Sequence, residues 1–142
     1  MKVVLDAYAV IAALVGERAR TEVEPLLKDG VVCAPNVAEV LDVCVRVHGN
    51  EEQIVRERVS WLLSGGLEIV ALEPAVALDA GALRAKHYRR RHCEVSHGDC
   101  FALALAKHRG LALATADPDL ATVARAEQVE LIGLPDSRGK RP

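Results

Sequence analysis

The sequence predicts an α/β fold, with a parallel sheet covered by helices on both faces. Three observations predict it. Five short, continuous apolar runs rich in valine, leucine and isoleucine alternate with longer stretches of helical periodicity, the pattern of strand–helix crossover units. The strand runs do not alternate apolar with polar, so both of their faces are buried. The chain has 142 residues, 51% hydrophobic and 27% charged, which suits one domain with a sizeable core and excludes general disorder.

The elements follow in order. Residues 2–5 (KVVL) are the first strand, ended by Asp6, and Ala7 to Val15 are an apolar helix. Polar residues from Gly16 to Thr21 interrupt it. A second helix carries Val23, Leu26 and Leu27 and stops at the turn signal Asp29-Gly30. Val31 to Ala34 form a buried strand. Pro35-Asn36 opens a helix with Val37, Val40, Leu41, Cys44 and Val45 at helical spacing, ended by Gly49-Asn50. Glu51 to Leu63 is amphipathic and stops at Gly65-Gly66. Leu67 to Leu72 is strand-like. Pro74 starts a helix that becomes basic towards Arg91. Ser96 precedes an apolar helix from Asp99 to Ala106, closed by Gly110. Leu111 to Ala114 is a strand, Pro118 begins a short helix, and Val129 to Ile132 is the last strand. Residues 1–134 read as one domain without internal repeats, and 135–142 as a flexible tail.

Composition excludes several functions. Eighteen Lys and Arg against 20 Asp and Glu give a net charge of −2, so binding of nucleic acid through bulk positive charge is excluded, whereas a local basic patch is not. Aromatic residues are only 3%, too few for base-stacking platforms. The four cysteines (Cys33, Cys44, Cys93, Cys100) have no repeated spacing and read as reduced thiols of a cytoplasmic protein. No apolar run reaches the ~18 residues of a membrane span.

Four acids stand out. Asp6 follows the first strand, Asn36-x-x-Glu39 opens the helix after the second, Ser96-x-x-Asp99 opens the alanine-rich helix, and Thr115-x-Asp117-Pro118 follows the fourth strand. Each has a structural explanation as a helix cap, favourable to the helix dipole by ~0.3–1 kcal/mol. Their joint placement adds a functional one. In a parallel sheet all four fall on the carboxyl edge, where such folds place their sites. Carboxylates gathered there repel unless a cation is present, and an all-oxygen set suits Mg²⁺ or Mn²⁺. The chemistry implied is metal-assisted phosphodiester hydrolysis. Glu73-Pro74 also follows a strand; that strand is expected at the sheet edge, with Glu73 structural.

Taken together these segments resemble the PIN-domain nucleases, especially the VapC-like toxins of toxin–antitoxin pairs. VVLDAYAVIA is similar to that family's first strand and first catalytic aspartate, APNVAEVLDV to its second motif, SHGDCFALALAKHRG to its third and LATADPDL to its fourth. The ordered set spans nearly the whole chain. The resemblance implies a three-layer α/β/α sandwich with a parallel five-stranded sheet in order 3-2-1-4-5. It also implies Mg²⁺- or Mn²⁺-dependent endoribonuclease activity on RNA, a homodimer, and a cognate antitoxin. By position Asp6, Glu39, Asp99 and Asp117 are its catalytic acids, with Asp6, Asp99 and Asp117 holding the metal. One departure is Tyr8, where the family has Ser or Thr. It leaves a PIN-like RNA- or protein-binding module, weak or inactive in catalysis, as the alternative. An aspartyl phosphotransferase of the haloacid dehalogenase kind would need a second Asp at that position.

The basic run 84–92 offers Arg84, Lys86, Arg89 and Arg90 as a phosphate track beside the acids; a solvated helix end explains it equally. Arg138, Lys140 and Arg141 read as solvated tail charge. His92, Cys93, His97 and Cys100 match no zinc spacing. Asp119 and Asp42 are further acids without an assigned role.

Overall fold

A computed structural model describes all 142 residues. Strand β1 (Val3–Leu5) leads into α1 (Ala7–Val15) and α2 (Arg20–Leu27); β2 (Gly30–Cys33) into α3 (Ala34–Arg46) and α4 (Glu52–Ser64). Strand β3 (Glu68–Val70) precedes α5 (Pro74–His87) and α6 (His97–Arg109). Strand β4 (Ala112–Thr115), α7 (Pro118–Ala126) and β5 (Leu131–Gly133) complete the chain. The five strands form one sheet in order β3-β2-β1-β4-β5, and every pairing is parallel.

Side chains alternate across this sheet. Val3 and Leu5 of β1, Val32 of β2 and Ala112 and Ala114 of β4 pack on one side with residues of α1 to α4. Val4, Val31, Cys33 and Leu113 pack on the other with α5, α6 and α7. Both strand faces are therefore buried, giving the three-layer α/β/α sandwich that continuous apolar strands require. Val3, Val4 and Leu5 are fully buried. No helix is long and apolar enough to cross a membrane.

Two boundaries near the acids differ from expectation. Helix α5 ends at His87, so the basic run leaves the helix at Tyr88. Arg91 there adopts a left-handed φ of 64° inside a turn closed by an Arg89–Cys93 bridge. Helix α3 begins at Ala34, with Cys33 rather than Asn36 at its cap and no side-chain cap bond. Asn36 and Glu39 thus form no capping box; Asn36 is already inside the first turn.

Residues 135–142 make contacts with the domain and with one another. Tyr8 Oη donates to the Pro135 carbonyl at 3.0 Å, and Asp136 Oδ1 accepts the amides of Arg138 and Lys140, at 2.8 Å each. Arg141 pairs with Glu22.

Glu127, past the end of α7, ties α5, α6 and α7 together. Its carboxylate, 7% exposed, meets Lys86 at 2.8 Å, His87 at 2.6 Å and Lys107 at 2.7 Å. Hydrogen bonds from His87, Lys107 and Lys86 pull its pKa down to about 2. Glu127→Gln is expected to lower stability at pH 7 by on the order of 1–3 kcal/mol. A depressed carboxylate stabilises above its unfolded value and loses that contribution as pH falls. The gap between variant and wild type in urea unfolding should therefore narrow from about pH 4.5 towards about pH 2.

Candidate active site

Sheet order decides where the acids go. Strands β2, β1 and β4 are adjacent at the centre, and the chain leaves the carboxyl end of each through Asn36/Glu39, Asp6 and Asp117 respectively. Helix α6 must also start at this edge, because it leads into the amino end of β4, and its first turn supplies Asp99.

Asp6 caps α1, its Oδ1 accepting the Ala9 amide at 2.8 Å, and is only 4% exposed. Burial pushes its carboxyl up to about 7. Bonds from the Thr115 hydroxyl and the Ala9 amide oppose the rise, and the charges of Asp99 and Asp117 add to it. Asp99 and Ser96 form a reciprocal capping box: Asp99 Oδ2 accepts the Ser96 amide at 2.9 Å and Ser96 Oγ accepts the Asp99 amide at 3.0 Å. Burial, with Asp117 and Asp119 nearby, raises the Asp99 carboxyl against the pull of Ser96. Asp117 caps α7 through a 2.7 Å bond from the Leu120 amide to Oδ1. Glu39 stands at the solvent-exposed lip. Desolvation raises it most, then the charges of Asp99 and Asp42, while the neighbouring Asn36 amide lowers it.

The structure therefore brings Asp6, Glu39, Asp99 and Asp117 into one electrostatic neighbourhood. The ion pairs of the chain all lie elsewhere, so no lysine or arginine neutralises the four. As the side chains stand, no three acidic, histidine or cysteine groups are placed to hold a metal ion together. Each aspartate has one oxygen committed to a helix cap, which holds the carboxylates on their own helices. The donor set still fits a hard divalent cation: its ligands are all oxygen, and Asp99 Oδ1 and Asp117 Oδ2 accept no bond within the protein.

Thr115 and Asn36 contribute more than their sequence positions suggest. Thr115 is fully buried; its Oγ1 accepts the Asp117 amide at 3.0 Å, and its hydroxyl acts to lower the Asp6 pKa. One β4 hydroxyl thus bears on two of the acids. The only sequence signal is a lone polar residue closing the apolar run ALAT. Asn36, buried and off the cap, reaches across to α6, its Nδ2 donating to the Gly98 carbonyl at 2.9 Å.

The other candidates separate. Asp119 Oδ2 accepts the Glu94 amide at 2.9 Å, holding the 88–96 loop against α7. Asp42 pairs with Arg46 at 2.8 Å, one turn along α3. Glu73 is exposed after the edge strand β3 and makes no cap bond. Arg84 Nε donates to the Val95 carbonyl at 3.0 Å, and its guanidinium lies 4.3 Å from the Tyr88 ring centre. Lys86 donates to Glu127, which also holds Lys107, and Lys107 lies eight residues, about 12 Å along α6, from Asp99. Arg89 bonds the Tyr88 carbonyl, and Arg90 is exposed. His92, Cys93, His97 and Cys100 form no cluster able to hold a metal, and Cys100 is core.

A family model described as PIN domain matches residues 3–126. Among solved structures, VapBC2 from Rickettsia felis bound to a DNA fragment from its promoter superposes with a TM-score of 0.70 at 16% identity, covering 94% of this chain and 99% of that one. VapC20 of Mycobacterium tuberculosis, a sarcin–ricin-loop cleaving toxin, gives 0.69 at 14% identity, covering 85% and 94%. FitAcB from Neisseria gonorrhoeae gives 0.66 at 22% identity, covering 92% and 96%. At these identities the likeness is one of fold. No curated protein matches the chain.

Proposed function

Because this chain belongs to the PIN domain family, we propose that it is a metal-dependent endoribonuclease that hydrolyses RNA phosphodiester bonds as the toxin of a toxin–antitoxin pair. The observation that carries this reading is the set of four carboxylates on one sheet edge, without a counter-ion, with Asp6 driven up to about 7. Such a set is costly to keep unless charge is brought to it.

In this reading Asp6, Asp99 and Asp117 would hold a Mg²⁺ or Mn²⁺ ion, which would supply positive charge at the phosphodiester and lower the pKa of water when bound. The caps at Ala9, Ser96 and Leu120 fix those three carboxylates to rigid helix ends, so little reorganisation is needed during the reaction. Thr115 holds the Asp117 backbone at the end of β4, beside Asp6. Glu39, at the open lip and with its pKa raised, orients the attacking water and accepts its proton. Exposed Arg89 and Arg90, together with Arg84 and Lys86, are the proposed contacts to RNA phosphates.

A neighbour from Klebsiella pneumoniae is a toxin–antitoxin complex, which supports a small antitoxin as partner here. A cleft of about 1190 Å³ on the α1–α4 side, lined in part by Leu14, Leu27, Arg58 and Trp61, lies apart from the acids and offers it an apolar seat. A homodimer is proposed by the same analogy.

The test is direct. Antitoxin-free protein incubated with RNA should cut in Mg²⁺ or Mn²⁺ and stop on addition of chelator. Binding without any metal-dependent cutting would replace this reading with that of a binding module.

A further inference from the structure

The first turns of α3 and α6 meet beside Glu39, and residue 98 is where they meet. A Cβ on Gly98 would stand 3.0 Å from Glu39 Oε2, 3.4 Å from Asn36 Nδ2 and 3.7 Å from Ser96 Oγ. Polar atoms from two helices therefore occupy the space that any side chain at 98 would claim. The backbone gives no reason for glycine here, because Gly98 is absent from the left-handed positions of the chain. Glycine inside a helix is also a poorer choice than alanine for stability.

Asn36 carries the second half of the observation. It is 1% exposed, and its amide nitrogen donates to the Gly98 carbonyl, on the side of Gly98 where Glu39 Oε2 also stands. Its Oδ1 is buried and has no partner. A side chain kept for stability alone would have both ends satisfied. Here one end is left orphaned while the other spans α3 and α6 beside the acids.

Resting on the nuclease reading above, we propose that Asn36 and Gly98 are positioning residues that form a cradle for Glu39. The Asn36 amide ties the first turn of α3, which leads to Glu39, to the start of α6, and the bare Cα of Gly98 leaves room for the Glu39 carboxylate next to Asp99. Neither residue touches substrate or metal; both act through Glu39.

The experiment uses Gly98→Ala in the full chain, free of antitoxin, under single-turnover conditions with Mn²⁺. The metal-free thermal midpoint should equal or exceed that of wild type, since alanine favours the helix. The Mn²⁺-induced rise in the midpoint should be kept, and KM for RNA should stay within about twofold. The rate constant for cleavage should fall about tenfold or more, as small misplacements of catalytic groups do. In a Glu39→Ala background the same substitution should cause no further loss, because its effect passes through Glu39. A Gly98→Ala protein that cuts as fast as wild type overturns the cradle. So does a loss that tracks a lowered midpoint, or one of equal size in the Glu39→Ala background. A wild-type protein that cuts no RNA in Mn²⁺ overturns the nuclease reading itself, and the cradle with it; the cradle alone falls when wild type cuts and the variant matches it.

Discussion

Asp6→Asn should abolish RNA cleavage and leave a protein that is more stable without metal. Substitution of groups that merely support a metal ligand costs 10–100-fold, so loss of the ligand charge itself should cost at least about 100-fold in Mg²⁺ or Mn²⁺. The fold should persist because asparagine keeps the oxygen that accepts the Ala9 amide. The gain in stability follows from the pKa. The Asp6 carboxyl moves from 3.8 to about 7 on folding. Between those values the native state holds a proton that the unfolded chain releases, so stability falls as pH rises from about 4 to about 7. The variant lacks that slope. Its thermal midpoint should match wild type near pH 4 and exceed it by several degrees at pH 8. An unchanged cleavage rate in carefully purified variant would remove Asp6 from the site.

The second large effect concerns the metal. Mn²⁺ should raise the thermal midpoint of the wild-type protein, and more at pH 7.5 than at pH 5. The ion must displace the protons that burial and neighbouring charge keep on Asp6, and to a lesser degree those on Asp99 and Glu39, all of which are shifted upwards. At 100 times its dissociation constant the ion would add about 2.7 kcal/mol, roughly 10 °C for a domain of this size. Chelator should reverse the shift. Equal stabilisation at both pH values would mean that the ion sits somewhere other than on these carboxylates.

Much of this arrangement was legible because local chemistry and global fold agree in it. Asp117 before Pro118 and Ser96 three residues before Asp99 are cap signatures, and the structure has both caps. Continuous apolar strands separated by helices led to a parallel sheet, and the parallel sheet led to one edge for all four acids. What failed to show was set by tertiary contact. Asn36 looked like a cap, but the end of β2 starts the helix two residues earlier, which frees its side chain to reach Gly98. The basic run looked like a helix end because arginine and lysine favour helices. The turn through Arg91 and the Arg89–Cys93 bridge stop it at His87 without glycine or proline to announce the break. Thr115 meets Asp6 across 109 residues of chain, a pairing that no local spacing encodes. The bond from Tyr8 to Pro135 that helps to hold the tail is similarly distant.

Anomalous diffraction from crystals soaked in Mn²⁺ would locate the ion directly. One or more peaks should lie among the carboxylates of Asp6, Asp99 and Asp117, with metal–oxygen distances of about 2.0–2.2 Å. Those peaks should vanish in crystals of Asp6→Asn. Manganese found only elsewhere on the protein, or no manganese at all under conditions in which the same preparation cuts RNA, would contradict the account.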